Sequence, residues 1–251
     1  MKIDFSKYSS VRIGGIFDVE VLNEMREFDG AIIGGANNLL ISPNPPKMGI
    51  LGSEFDYIKL ENGVLKIGAK TPSSKIYKFT KDNNIGGFEF VKKIPGTLGG
   101  MIKMNAGVKE YEISNLLLNI TTSKGIALAN ECGFSYRHSN IDGVIFEASF
   151  EIIREFDEAL SNKLNQKRSN QPKGASFGSC FANPAGDHAG RLLEAAGMKG
   201  YRIGGCGFSE IHANFLINYG SGSFNDAIEL INLAKNRVAE LFGIELRCEV
   251  V

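Results

Sequence analysis

The chain has 251 residues, 43% hydrophobic and 22% charged, which is long enough for two or three subdomains. Lys plus Arg equals Asp plus Glu at 28 each, so no overall field favours nucleic acid or a membrane surface. Cys132, Cys180, Cys206 and Cys248 form no Cys-x-x-Cys pair and His138, His188 and His212 are dispersed, which argues against a metal site and a disulfide framework.

No charged-then-apolar leader opens the sequence, and no apolar run approaches the ~18 residues of a membrane span. A cytoplasmic protein is expected, with no nucleic-acid, membrane or obligate protein partner. Residues 1–48 read as a small α/β unit. Within it, Arg12 beside Gly14-Gly15 is a candidate anion contact, although one arginine next to two glycines is more often a surface turn. Ala31 to Ile41 predicts strand, glycine turn and strand; such a turn can offer N–H groups to a phosphate, but it is not the dinucleotide fingerprint Gly-x-Gly-x-x-Gly. Pro43-Asn-Pro-Pro46 marks the first boundary.

Residues 49–155 are strand-rich. Tyr57 to Leu60 and Val64 to Ile67 flank Asn62-Gly63, a two-residue hairpin signal. A short helix is predicted over 73–83. The stretch Phe90 to Gly107 organises the chain. Pro95 fixes its own φ and pushes Ile94 towards extended geometry. Gly96 can take a positive φ, and Gly99-Gly100 leaves backbone N–H groups uncovered in a loop that can form a row of donors for a pyrophosphate. For a lone glycine cluster a tight structural loop is the better reading; the second cluster at Gly34-Gly35 shifts the balance. Strands are predicted at 120–122, 126–128 and 144–153, with Arg137 in a turn between the last two.

Residues 156–243 form a third unit, with a C-terminal strand at 244–251 that can join the strand-rich one. A polar helix is predicted over 156–170. Asp187 is expected to cap a helix through Glu194 that stops at Gly197. Ile211 to Ile217 reads as a buried strand, and Ser223 to Asp226 as a capping box opening a helix that Gly243 ends. Lys163, Lys167, Arg168, Lys173, Arg191 and Lys199 make this last third basic enough for a second anion. There is no Gly-x-Ser-x-Gly elbow and no P-loop, whereas redox chemistry on a bound cofactor needs neither. Spacing alone goes no further.

The motifs Val11-Arg-Ile-Gly-Gly15, Gly34-Gly-Ala-Asn-Asn-Leu-Leu40, Phe88-Glu-Phe90, Ile94-Pro-Gly-Thr-Leu-Gly-Gly100, Met104-Asn-Ala-Gly107, Tyr136-Arg-His-Ser139, Gly178-Ser-Cys-Phe-Ala-Asn-Pro184, Ala189-Gly190, His212-Ala-Asn-Phe215 and Leu246-Arg-Cys-Glu249 stand in one order along the chain. Together they resemble the UDP-N-acetylenolpyruvoylglucosamine reductase family, in its shorter class without a tyrosine-bearing closing loop. The resemblance implies an α+β fold: an FAD-binding fold of vanillyl-alcohol-oxidase (PCMH) type with a C-terminal α+β substrate-binding domain. It implies non-covalent FAD, NADPH as co-substrate and a UDP-sugar substrate. FAD contacts would come from Arg12, Gly34, Gly35, Ala36, Asn37, Asn38 and Leu39, and from Ile94, Pro95, Gly96, Thr97, Gly99, Gly100, Asn105, Ala106 and Gly107.

In that family NADPH reduces the flavin, and the enolpyruvyl ether of UDP-N-acetylglucosamine then takes a hydride and a proton, giving UDP-N-acetylmuramate for peptidoglycan. By resemblance Ser179 is the proton donor, Arg137 lies near the substrate carboxylate and enolate, and Glu249 polarises the substrate from the opposite side. It would do so as a neutral acid or through water; a negative Glu beside an enolate would repel it, so a raised pKa is expected. Tyr136, Asn183 and Arg168 would bind substrate. Ala36 and Asn37 depart from the usual Gly-Ser, and an ordinary φ at Ala36 would reshape that turn. Ala182 replaces a common Lys or Arg. Two other readings stay open: another FAD-dependent oxidoreductase of the same superfamily, and a non-catalytic flavin- or nucleotide-binding protein.

Overall fold

The computed structural model describes residues 1–166 and 171–250. The chain folds into two compact units, and neither is a continuous segment. The first takes Val19–Gly35 and the described part of 46–169, with Met1; the second takes Lys2–Asp18, Ala36–Pro45 and the described part of 170–251.

The chain begins in the second unit with β1 (Lys2–Asp4) and α1 (Phe5–Tyr8). In β2 (Ile16–Leu22) residues 16–18 pair antiparallel with β1, while Val19–Leu22 run parallel to β4 (Met48–Leu51) in the first unit. β3 (Ala31–Ile32) lies on the other edge of β4.

The rest of the first unit is a five-stranded antiparallel sheet. Its hairpin, β5 (Ile58–Glu61) to β6 (Val64–Gly68), turns at Asn62 and Gly63 with φ of 52° and 78°, the two left-handed residues that a type I′ turn requires. α2 (Ser73–Asp82) and α3 (Leu98–Lys103) follow, then the small hairpin β7 (Gly107–Val108) and β8 (Tyr111–Glu112). The sheet is completed by β9 (Leu117–Thr122), β10 (Gly125–Leu128) and β11 (Ile145–Glu151), in the order β10-β9-β11-β6-β5. α4 (Glu158–Gln166) closes the described part of this unit. The core holds Phe88 edge-on to Phe150 at 5.3 Å and Phe55 against Phe146 at 5.0 Å.

One charge sits inside this unit. Glu89 is 1% exposed and takes both guanidinium nitrogens of Arg154 at 2.7 and 2.8 Å, plus the N–H groups of Gly87 and Asp157. Every carboxylate oxygen is thus satisfied, and removing the acid strands these donors. Glu89→Ala is expected to cost about 3–5 kcal/mol, read as a lower urea midpoint at unchanged slope. A shift worth less than ~1 kcal/mol would mean that the pair behaves as a surface ion pair.

The second unit carries an antiparallel sheet of β12 (Ala175–Ser179), β13 (Arg202–Ile203), β14 (Cys206–Phe208) and β15 (Phe215–Asn218), in the order β12-β15-β14-β13. It also carries α5 (Ala189–Ala195) and α6 (Phe224–Phe242). α6 starts at the expected capping box, where the Ser223 side chain accepts the Asp226 N–H and the Asp226 side chain accepts the Ser223 N–H. It stops at Gly243 with φ 67°. Ala227, Leu230, Ile231, Ala234 and Val238 bury one stripe of α6 among Phe181, Phe208, Leu216 and, from the chain's other end, Val11 and Ile13.

Several expected elements differ. Leu98–Lys103 is a short helix rather than a loop, because Leu98 and Gly99 give their N–H groups to Thr71 and Ala69 and fix its first turn. No strand follows β3 before Ile41: Ala36 turns the chain with φ 48°, and the Asn38 side chain donates to the Glu249 carbonyl at 2.8 Å. Residues 211–214 make a turn on the Ser209 hydroxyl, so the buried strand begins at Phe215. Residues 244–250 keep their alternating burial but form one bridge, Cys248 to Phe181, and Leu246 and Val250 pack in the second unit's core. α5 is capped at His188, not Asp187; Asp187 accepts the His188 N–H and pairs with Arg191, which pulls its carboxyl down to about 2.

Candidate active site

In the first unit the stretch Ile94–Gly100 is laid along residues 69–73. Thr97 bridges Pro72, and the Gly96 carbonyl accepts the Ser73 N–H at 3.0 Å with Gly96 at φ 111°. Ile94 is buried, Pro95 exposed. The turn at Gly34-Gly35 approaches this stretch closely: a Cβ on Gly34 would stand 2.6 Å from Thr97 Oγ1. Gly99 faces Ala69, where a Cβ would meet the Ala69 Cβ at 3.3 Å. Gly100 is exposed, and among the described residues a Cβ there would meet nothing nearer than Thr97 Oγ1 at 3.9 Å. Among the described residues, Gly100 thus presents bare backbone with room above it, whereas Gly34 is closed by Thr97.

The same unit fixes a cation on the neighbouring loop. Arg137 has φ 53°, and its guanidinium donates to the carbonyls of Gly107 at 2.8 Å and Asn105 at 3.4 Å. It also lies 5.2 Å over the ring of exposed Tyr136. Asn105 is 1% exposed with φ 41°; its side chain donates to Glu112 and Ser135 and accepts from Ser114. Ala106 is tied to Met101 and Ile113 through its backbone, and Gly107 admits no Cβ because one would lie 2.4 Å from the Tyr111 carbonyl. Arg137 and Asn105–Gly107, far apart in sequence, are therefore one hydrogen-bonded assembly.

In the second unit Ala36 is 2% exposed at φ 48°. An ordinary φ was the sequence expectation, and the structure overturns it. The Ala36 carbonyl accepts the Ser10 N–H at 3.1 Å, which holds the left-handed turn against its own cost of roughly 1–2 kcal/mol. Arg12, exposed, has φ 55°. Asn37 and Leu39 are half-buried on either side of Asn38. Among the described residues seven non-glycine positions have positive φ: Arg12, Ala36, Asn105 and Arg137 lie at predicted site positions, while Asn62, Asn84 and Lys109 serve turns and a helix end. Strain of this kind gathers at functional sites.

Ser179 ends β12 after a bulge. Ser176 pairs Ile217 and Ser179 pairs Phe215, so three steps on β12 match two on β15. Gly178 lies in the bulge at φ 87°, its N–H bound to Ser176 Oγ at 3.1 Å. The next residue carries the link to Glu249: the Cys180 carbonyl accepts the Glu249 N–H at 2.9 Å. Asn38, Glu249 and the residue after Ser179 are thereby joined in one chain of hydrogen bonds. Burial pushes the Cys180 thiol well up, so it packs rather than reacts. Ala182 is buried, its N–H on the Arg247 carbonyl.

The remaining positions divide. Asn183 is exposed and its Oδ1 accepts the Ala189 N–H at 3.0 Å, capping α5. Arg191 and Lys199 are paired with Asp187 and Glu194. Lys167 and Arg168 lie outside the described residues. Among the described residues no His, Cys, Asp and Glu group is arranged to hold a metal ion, and no helix is long and apolar enough to cross a membrane. Asn214 and Asn218 went unassigned in the sequence; their signal was a polar amide inside an apolar run. Asn218 donates to the carbonyls of Val11 and Arg12 and accepts the N–H groups of Gly220 and Gly222.

Comparison with known proteins agrees over the whole chain. The profile of the UDP-N-acetylenolpyruvoylglucosamine reductase C-terminal domain matches residues 170–251. UDP-N-acetylenolpyruvoylglucosamine reductase from Campylobacter jejuni (strain RM1221) is 52% identical over 100% of this chain and 99% of its own. The one from Helicobacter hepaticus is 46% identical over 99% and 97%. The crystal structure of the Thermus caldophilus enzyme superposes with a TM-score of 0.86 at 26% identity, covering 100% of this chain and 97% of that one. The expected α+β architecture, an FAD-binding fold with a C-terminal domain, is borne out. With relatives this similar from end to end, the chain belongs to the UDP-N-acetylenolpyruvoylglucosamine reductase family.

Proposed function

We propose that the chain reduces the enolpyruvyl group of UDP-N-acetylglucosamine enolpyruvate to UDP-N-acetylmuramate, a step in peptidoglycan precursor synthesis, with FAD bound non-covalently and NADPH as reductant. Membership of the family supports the reaction. The residues present fit the flavin: the backbone at Gly100 is open where a side chain would fill the space, and Gly34 lets its turn come close to Thr97. By resemblance to the family, Arg12, Gly34–Leu39, Ile94–Gly100 and Asn105–Gly107 would hold it. When bound, FAD supplies the hydride chemistry.

The chain's own residues supply the rest. Ser179 Oγ gives the proton to the carbon beside the ether oxygen; a hydroxyl is a weak acid, so the charge developing on the substrate must already be held. Arg137 holds it at the substrate carboxylate, pre-oriented by the Asn105 and Gly107 carbonyls. Glu249 acts as a neutral acid. Tyr136 and Arg168 contact the UDP-sugar, and Asn183 shapes its site through the cap on α5.

The observation that carries this reading is the bulge that sets Ser179 one residue from the carbonyl holding Glu249. The purified protein is expected to be yellow, to release FAD on heating, to bleach with NADPH, and to regain colour without oxygen when the enolpyruvyl sugar is added. A colourless protein that takes up no FAD overturns the reading. Recovery of colour with oxygen but not with the sugar would favour another flavin oxidoreductase.

A further inference from the structure

Asn214 has no role in the reading above, yet its side chain is buried and bonded on both sides in the second unit. It is 3% exposed and immediately precedes β15. Its carboxamide grips the backbone of one residue at both its donor and its acceptor: Oδ1 accepts the Phe181 N–H at 2.9 Å, and Nδ2 donates to the Phe181 carbonyl at 2.7 Å. Its own carbonyl accepts the Cys180 N–H at 2.7 Å. Its own N–H is bound to His212 Nδ1 at 3.2 Å, and the imidazole packs on Phe215 at 5.0 Å. Burial lowers the His212 pKa, which favours the neutral ring whose Nδ1 can accept.

The segment Cys180–Ala182 is thus held along two edges. Asn214 lies on one edge. On the other, Glu249 donates to the Cys180 carbonyl and Ala182 donates to the Arg247 carbonyl. A side chain therefore performs the task of a neighbouring strand. It does so where the bulge has broken the β12–β15 ladder, directly after Ser179. Without it, that edge of the segment between Ser179 and Asn183 would keep only the Cys180 N–H on the Asn214 carbonyl, and both polar groups of Phe181 would lose their partner.

We propose that Asn214 is the positioning residue for Ser179 and Glu249, setting the distance between the proton donor and the acid through the backbone N–H and carbonyl of Phe181. This rests on Ser179 being the proton donor. Asn214 touches no substrate atom in this role. Its loss should shift the hydroxyl by a fraction of an ångström to an ångström, a displacement that costs roughly 10²-fold in rate.

The test is Asn214→Ala and Asn214→Asp in the flavin-loaded enzyme, with Ser179→Ala alongside. Expected for Asn214→Ala is parent flavin occupancy and parent bleaching by NADPH, with reoxidation by the enolpyruvyl sugar slowed roughly 10²-fold at little change in KM. Hydrogen exchange of the Cys180 and Phe181 amides should quicken while α6 stays protected. In Asn214→Asp the protonated carboxyl restores the donor to Phe181, so its reoxidation rate should recover as pH falls, unlike the parent's. Parent reoxidation in Asn214→Ala, equal loss of both half-reactions, or a flat Asn214→Asp profile overturns the proposal. Failure of both variants to fold also overturns it, since the residue would then be architectural. If Asn214→Ala is slow while Ser179→Ala is at the parent rate, the proton-donor assignment fails instead.

Discussion

Ser179→Ala is expected to keep its FAD and bleach with NADPH at the parent rate, yet be reoxidised by the enolpyruvyl sugar at least ~10²-fold more slowly. The substitution removes one hydroxyl and little volume from a half-buried strand end. Nothing in the backbone around it depends on that hydroxyl: the bulge is held by Gly178 on Ser176 Oγ, and the following residue by Asn214 and Glu249. Ser176→Ala is the comparison. It deletes the bond to the Gly178 N–H, worth about 0.5–1.5 kcal/mol, and should slow the same step by less than ~10-fold through the bulge. Stopped-flow absorbance separates the two half-reactions. Parent-rate reoxidation in Ser179→Ala, or a larger defect in Ser176→Ala, would remove Ser179 from the mechanism while leaving the family assignment intact.

Gly100→Val is expected to fold normally and to lose its flavin. The added Cβ has 3.9 Å of clearance from Thr97 Oγ1, Gly100 has no positive φ, and valine is a better helix residue than glycine. The apoprotein should therefore unfold at or slightly above the parent midpoint. Any loss of FAD then comes from a clash with the bound group. The neighbouring glycines cannot separate these effects: a Cβ at Gly34 or Gly107 would collide with Thr97 Oγ1 or the Tyr111 carbonyl inside the protein itself. Full occupancy by the flavin absorbance-to-protein ratio would make the stretch Ile94–Gly107 structural only.

What could be read from sequence was local. Asn62-Gly63 demanded two left-handed residues, Ser223 with Asp226 made a closed capping box, and Gly243 stopped a helix; each is settled by atoms within a few residues. What could not be read depends on partners distant in the chain. The left-handed turn at Ala36 is tied to the Ser10 N–H; the peptide of Phe181 relies on an amide from Asn214; Asn38 reaches Glu249. The strand expected at 244–250 failed for the same reason. Its alternation was real, but a ladder needs a partner with a free edge, and residues 180–182 offer one bridge. At the candidate site, the motifs proposed the positions, while the union of Arg137 with Asn105 and Gly107 was visible only in three dimensions.

The interrupted make-up of the second unit bears on how the chain is made. Val11 and Ile13 are buried in its core, and the Asn218 Nδ2 donates to the carbonyls of Val11 and Arg12. During synthesis those residues leave the ribosome first, and their partners last. The first unit can close its five-stranded sheet while the opening residues still wait with apolar side chains uncovered. Translation speed through residues 46–166 therefore sets how long this exposed N-terminal segment is at risk of aggregation. By the same logic, a fragment cut to begin at residue 170 would lack part of its own interior.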